Sequence, residues 1–105
     1  MATVHWTSAA RSDLTIVRDY LAQYSVDRAI RLTDDIDVAV RRLAMFPLSG
    51  RKVPEFDLEW LREIIHRDYR ILYEPRLDRD EVWILAVYHA ARDIARHLEQ
   101  RWSTE

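Results

Sequence analysis

The chain is 105 residues long, 49% hydrophobic and 32% charged, with no cysteine and a single glycine. That size and balance describe one globular domain rather than two domains or a disordered chain. The absence of cysteine excludes a disulfide framework and thiolate metal sites and fits a reducing cytoplasm. The net charge of −2 counts against strong, salt-dependent phosphate binding over the whole surface. The charge is uneven, however: residues 41–79 are net +2, while the segments on either side are each net −2.

Thr3–Trp6 alternates briefly and reads as a short strand. Thr7 and Ser8 are suited to capping a helix, whose free N–H groups their hydroxyls accept. Leu14, Val17, Leu21 and Tyr24 then recur at helical spacing and define one apolar stripe. Ser25 is expected to cap a second helix with Ala29, Leu32, Ile36, Val40 and Leu43 on its packed face. So short a break between the two helices predicts an antiparallel hairpin. Pro47 is expected to stop the second helix. Gly50, the only glycine, is expected to hold a backbone conformation that other residues resist. Residues 48–59 read as a loop.

Leu61–His66 and Tyr69–Glu74 alternate around Arg67-Asp68, a hairpin in which Tyr69, Ile71 and Tyr73 share one face. Pro75 is expected to end the second of these strands. Glu81–Tyr88 is richly apolar and reads as a central strand, buried on both faces. Residues 90–102 are expected to form a last helix on Ala91, Ile94, Ala95, Leu98 and Trp102. The order is β-α-α-β-β-β-α, an α+β fold. Its antiparallel sheet would be covered on one face by the helical hairpin, with the other face partly open to a partner. No basic start with an apolar run marks a signal peptide, and no stretch is long enough to span a bilayer.

Chemistry-bearing patterns are few. The four histidines lie far apart in sequence, so no metal site is expected, and one glycine leaves no phosphate-cradling loop or serine elbow. Arg62 and Arg70 are placed on neighbouring strands close to the hairpin turn. There they either pair with Glu63 or Glu74 or grip a carboxylate or phosphate. His89 sits where the last strand meets the last helix and suits either acid–base chemistry or a strand-end hydrogen bond. Arg92 falls in the first turn of the last helix, where a positive helix end makes it unfavourable without an acidic partner. Trp60 and Trp102 are candidates for an exposed contact surface.

Several segments, in order and at matching spacing, carry a resemblance: Val4-x-Trp6-Thr7, Ala10-x-x-Asp13-Leu14, Phe46-Pro47-x-x-Gly50-Arg51, Val53-Pro54-Glu55, Leu61-Arg62-Glu63-Ile64, Tyr69-Arg70-Ile71-x-Tyr73 and Val87-x-His89-x-Ala91-Arg92-Asp93. Together they resemble the toxins of the RelE/ParE superfamily over nearly the whole chain, as a single toxin domain spanning residues 1–105. The resemblance implies a type II toxin neutralised by a cognate antitoxin, usually a ribbon-helix-helix protein. RelE-like members are ribosome-dependent endoribonucleases, and ParE-like members poison DNA gyrase by binding. In the nuclease reading Arg62, Arg70 and His89 would be the catalytic groups. Ile64 and Ala90 stand where nucleases carry basic residues, which favours the ParE-like branch: a cytoplasmic gyrase inhibitor with no cofactor and no sequence-specific nucleic-acid binding of its own. Arg62, Arg70, Trp60, Arg92 and Trp102 would then be partner-binding residues. A diverged, non-toxic interaction module of the same fold is a third reading.

Overall fold

Two hydroxyl caps set the start of the helical hairpin. In the computed structural model, which describes residues 1–91 and 94–103, the Thr7 hydroxyl accepts the Ala10 backbone N–H at 3.1 Å and the Ser25 hydroxyl accepts that of Arg28 at 3.2 Å. Each satisfies a donor that a helix start leaves without a partner. Helix α1 runs Ser8–Ala22 and α2 runs Val26–Arg41. The second helix tightens into a 3-10 turn at Arg42–Ala44 before it reaches Pro47. A third helix, α3, spans Ile94–Ser103.

The described residues form five strands, one more than the sequence pattern suggests. They are β1 (Thr3–Trp6), β2 (Arg51–Lys52), β3 (Arg62–His66), β4 (Tyr69–Arg76) and β5 (Glu81–His89), arranged β1-β5-β4-β3-β2. The antiparallel β3-β4-β5 meander is as expected, and β1 joins the edge of β5 in parallel. The extra strand β2 lies inside the segment read as a loop and is only two residues long, too short for alternation to reveal it. Pro75 does not end β4, which pairs on to Arg76 opposite Glu81. Only one side of Pro75 needs a ladder donor, and it tolerates the place near the strand end.

The register of β4 on β5 shifts once. Leu72 lies opposite Ala86 and Tyr73 opposite Ile84, so Leu85 is an extra residue in β5. The bulge turns Val87 to the same face as Ile84 and sends Ala86 and Tyr88 to the other. Both faces of the sheet therefore bury apolar side chains. On one, Leu32, Ile36, Val40 and Leu43 pack over Ile71, Tyr73, Ile84 and Val87. On the other, Leu98 of α3 and the 53–61 segment, through Val53 and Leu61, close over Leu72, Ala86 and Tyr88. The second face, expected to be partly open, is covered at its centre and open at its edge, where Ile65 is 54% exposed. Its centre is a second small core under α3.

Tyr24 also departs from its expected place. It stands beyond the hairpin's packed stripe and is 71% exposed. Gly50 is needed for a different reason from the one expected, since no glycine has positive φ. A Cβ at this position would come within 2.5 Å of the Glu63 carbonyl oxygen and 2.6 Å of the Tyr73 hydroxyl. The Gly50 N–H donates to that same hydroxyl at 2.9 Å, so the backbone is drawn tightly against β3 and β4. Gly50→Ala is expected to cost about 1–3 kcal/mol, as overpacking does, and to lower Tm in a thermal melt. An unchanged Tm would show that the close approach is not a constraint.

Candidate functional site

The most conspicuous polar cluster is built on β3, β4 and the segment after β2. Arg70 is buried, and its guanidinium is met on every side by carboxylates. Its Nε donates to Glu63 Oε1 at 2.6 Å, and its two terminal nitrogens donate to Glu55 at 2.6 and 2.8 Å as a bidentate fork. The Glu63 side chain has no exposed surface, and its second oxygen accepts Arg51 Nε at 2.7 Å. Strand alternation explains the arrangement: Glu63 pairs opposite Leu72 and Ile65 opposite Arg70, so Glu63 and Arg70 are diagonal neighbours on one face. The Glu55 fork contributes most to raising the Arg70 pKa further above its ordinary value. The same fork holds the Glu55 carboxyl below its ordinary value of 4.5.

Arg62 occupies the opposite face of the same hairpin. It pairs opposite Tyr73, at the far end of β3 from the turn rather than near it as expected. Its Nη1 donates to the Gly50 carbonyl at 3.1 Å, and its other terminal nitrogen lies 3.6 Å from Glu59. Its Nε is buried with no hydrogen-bond partner among the described residues. Arg62 thus clamps the Gly50 backbone already drawn in by Tyr73.

His89 is exposed at the end of β5. Its Nδ1 accepts the Ala91 N–H at 3.1 Å, and its ring meets Tyr69 edge-on at 5.4 Å. His89 pairs opposite Tyr69 and Arg70 opposite Tyr88, so His89 and Arg70 project from opposite faces of the sheet. His89 and Arg62 share a face but are four register positions apart along β4, roughly 13 Å at the rise of a strand. The three residues do not converge on one reacting atom.

Trp60 is 44% exposed beside β3. Arg92 lies outside the described residues, as does the side chain of Trp102. A carboxylate on the helical hairpin does hold the last helix, but through Arg101. Arg101 Nη2 donates to Asp13 Oδ1 at 2.9 Å, and Nη1 reaches the Leu85 carbonyl at 3.3 Å. Asp13 Oδ2 accepts the Val87 N–H at 3.0 Å. The pair therefore meets backbone groups of β5 just beyond Ile84, where its pairing with β1 ends. Asp13 entered the sequence reading only as part of the Ala10-x-x-Asp13-Leu14 segment, and Arg101 did not enter it. The usable signal was an acid at position 13, buried on the face of α1 that also carries Ala10 and Val17.

Beside Asp13 a groove of about 680 Å³ opens between α1 and the end of β5, reaching Ile16, Tyr20, Tyr69 and His89. Ile16 and Tyr20 leave more than half of their surface in solvent. Among the described residues no group of three or more His, Asp or Glu stands in a metal-holding arrangement, and no helix is long and apolar enough to cross a membrane.

The family model for the ParE toxin of type II toxin–antitoxin systems (parDE) matches residues 4–94. The chain belongs to the ParE toxin family. Within the wider RelE/ParE superfamily, this ParE-family chain is 33% identical over 87 residues to protein Y4kP of Sinorhizobium fredii, a match covering 83% of this chain and 86% of that protein. It is 43% identical over 51 residues to toxin RelE2 of Caulobacter vibrioides, where the match spans 49% of this chain and 58% of the relative. The fold is similar to that in the chromosomal ParDE system of P. aeruginosa (22% identity, TM-score 0.69, 85% of this chain and 96% of that one). It is also similar to that in the toxin–antitoxin complex RelBE2 of Mycobacterium tuberculosis (26% identity, TM-score 0.62, 87% and 93%).

Two outcomes follow from the Arg70 cluster. Arg70→Ala leaves Glu63 charged and buried without its main partner and is expected to destabilise the ParE-family fold by about 3–5 kcal/mol, measured by denaturant unfolding. A normally stable Arg70→Ala protein would contradict the structural role. The depressed Glu55 pKa makes its contribution to stability complete above pH 4.5, the ordinary value, and progressively lost as pH falls through the lower folded value. Glu55→Gln is therefore expected to flatten the acid limb of the stability–pH curve below pH 4.5. An unaltered acid limb would show that the fork carries no linkage.

Proposed function

We propose that this ParE-family toxin acts by binding DNA gyrase and carries out no RNA cleavage. The observation that supports this reading is the state of Arg70. It is the residue that matches a nuclease strand arginine, and its donors are already engaged by Glu55 and Glu63. A guanidinium closed off by carboxylates is a poor grip for a scissile phosphate, because the ligand would have to displace charge-assisted bonds before forming its own. The separation of Arg62, Arg70 and His89 over two faces points the same way, since acid–base catalysis needs its groups within reach of one reacting atom. A toxin without such a centre works through surface complementarity.

A cognate antitoxin, of the ribbon-helix-helix type, is the second partner of this reading. Arg62 and Arg70 are committed internally, so the antitoxin's anchor is assigned instead to α1. There Ile16 and Tyr20 lie one turn apart and border the groove toward Tyr69 and His89. An amphipathic segment laid along this stripe would bury both side chains without first breaking any ion pair.

The decisive experiment is a gyrase supercoiling and cleavage assay with purified toxin, run beside primer extension on ribosome-bound message. The expected result is gyrase inhibition at micromolar toxin and an uncut message. Codon-positioned cleavage with normal supercoiling would overturn the reading. For the antitoxin surface, Tyr20→Asp is expected to weaken antitoxin binding by tenfold or more, about 1.4 kcal/mol, in a titration of the purified pair. Unchanged affinity would move the interface elsewhere.

A further inference from the structure

Away from the Arg70 cluster, a second polar cleft lies between α2 and the β3–β4 turn. Arg28 and Arg31 reach it from α2, and Arg67 reaches it from the turn. None of the three side chains has an ion-pair or hydrogen-bond partner among the described residues, although almost every other cluster on β3 and β4 is internally paired. Arg28 and Arg31 are three residues apart on one helix face, where like charges repel. Arg67 is held at φ 53°, the left-handed region. The first position of a two-residue hairpin turn favours Asn, Asp or Gly there, and a long side chain is a poor choice for the turn alone. An unfavourable backbone, an unfavourable charge pair and three arginines without protein partners among the described residues line one cleft.

We infer that this cleft is a binding site for a terminal phosphate monoester carried on a group of about nucleotide size. A carboxylate offers two oxygens in one plane and is met by one or two arginines, as Glu55 is by Arg70 and Glu63 by Arg70 and Arg51. Three guanidinium groups entering from two elements instead match the three terminal oxygens of a monoester dianion. The cleft measures about 250 Å³, the volume of roughly eight waters at about 30 Å³ each, so room remains for the group bearing the phosphate. Leu21, Leu32 and Tyr69 supply an apolar wall for it, and Asp68 is placed to accept its hydroxyl or amino donors, with Asp35, whose carboxylate lies 3.4 Å from His66, beside it. Those two acids also disfavour a run of further negative charges through the cleft, which selects a chain end or a free nucleotide over internal phosphodiesters. The inference does not rest on the gyrase reading, and failure of the gyrase assay leaves it unaffected.

The test is fluorescence anisotropy on the full chain with a 3′-labelled, ten-nucleotide single-stranded DNA carrying either a 5′-phosphate or a 5′-hydroxyl. The 5′-phosphorylated form is expected to bind at least tenfold more tightly. Arg67→Asn is expected to abolish that difference while leaving Tm unchanged or raised, because asparagine suits the left-handed turn. Displacement of the probe by adenosine 5′-monophosphate would support the site and extend it to free nucleotides. Resistance to that displacement, with the 5′-phosphate preference intact, would support it as a chain-end site. Equal affinity for the two ends, or a 5′-phosphate preference that survives Arg67→Asn, would overturn the inference. So would binding of an oligoglutamate peptide that is lost in Arg67→Asn while the phosphorylated DNA fails to bind.

Discussion

Burying the Glu63 carboxylate is the constraint around which this end of the molecule is organised. An ionised group with no exposed surface is tolerable only when its oxygens are met by charge-assisted donors, and Arg70 and Arg51 meet them from two sides. Arg51 stands on β2 and pairs opposite Glu63, so the need for that donor helps bring a two-residue strand to the sheet edge. Arg70 in turn draws in Glu55 and with it the segment that places Val53 and Leu61 over the second core. Gly50 is the price of the arrangement, because the chain entering β2 must pass against the Glu63 carbonyl and the Tyr73 hydroxyl with no room for a side chain.

A comparable logic governs the other end of the sheet. Beyond Ile84, where β1 ends, β5 presents the Leu85 carbonyl and the Val87 N–H to side chains. Asp13 and Arg101 satisfy these groups and link α1, β5 and α3 in doing so. Asp13 and Arg101 thus hold backbone of β5 in place, as Glu63, Arg51 and Arg70 hold a short edge strand at the other end. The outer stripe of α1, with Ile16 and Tyr20, stays outside these polar networks.

The helices and the meander were legible in the sequence because each rests on a local rule. Thr7 and Ser25 are caps, Leu32, Ile36 and Val40 keep helical spacing, and the residues from Tyr69 to Tyr73 alternate. The extra strand was not, since two residues have no periodicity, and neither was the β5 bulge, since an apolar run reads the same with or without a shift. The closure of the second face by α3 depends on that shift. Gly50 was rightly singled out for the wrong reason: a tight approach leaves no mark in a sequence that distinguishes it from a left-handed turn. The hairpin pattern placed Arg62 and Arg70 on adjacent strands and allowed Glu63 as a partner. Their opposite faces follow from register, and the second carboxylate, Glu55, comes from a loop with no pattern to read. Asp13 illustrates the general case, an acid on an apolar helix face whose partner stands 88 residues later in the chain.

The central claim is that Arg70 serves the fold and not a reaction. It is tested most directly by replacing the buried pair with apolar side chains of similar length, Arg70→Met together with Glu63→Met, a substitution that removes both charges at once and often leaves stability unchanged or improved. Toxicity of this double variant in cells without antitoxin, measured beside its unfolding transition, separates the two roles. A folded protein that remains toxic is the predicted result. A folded protein that has lost its toxicity would contradict the account.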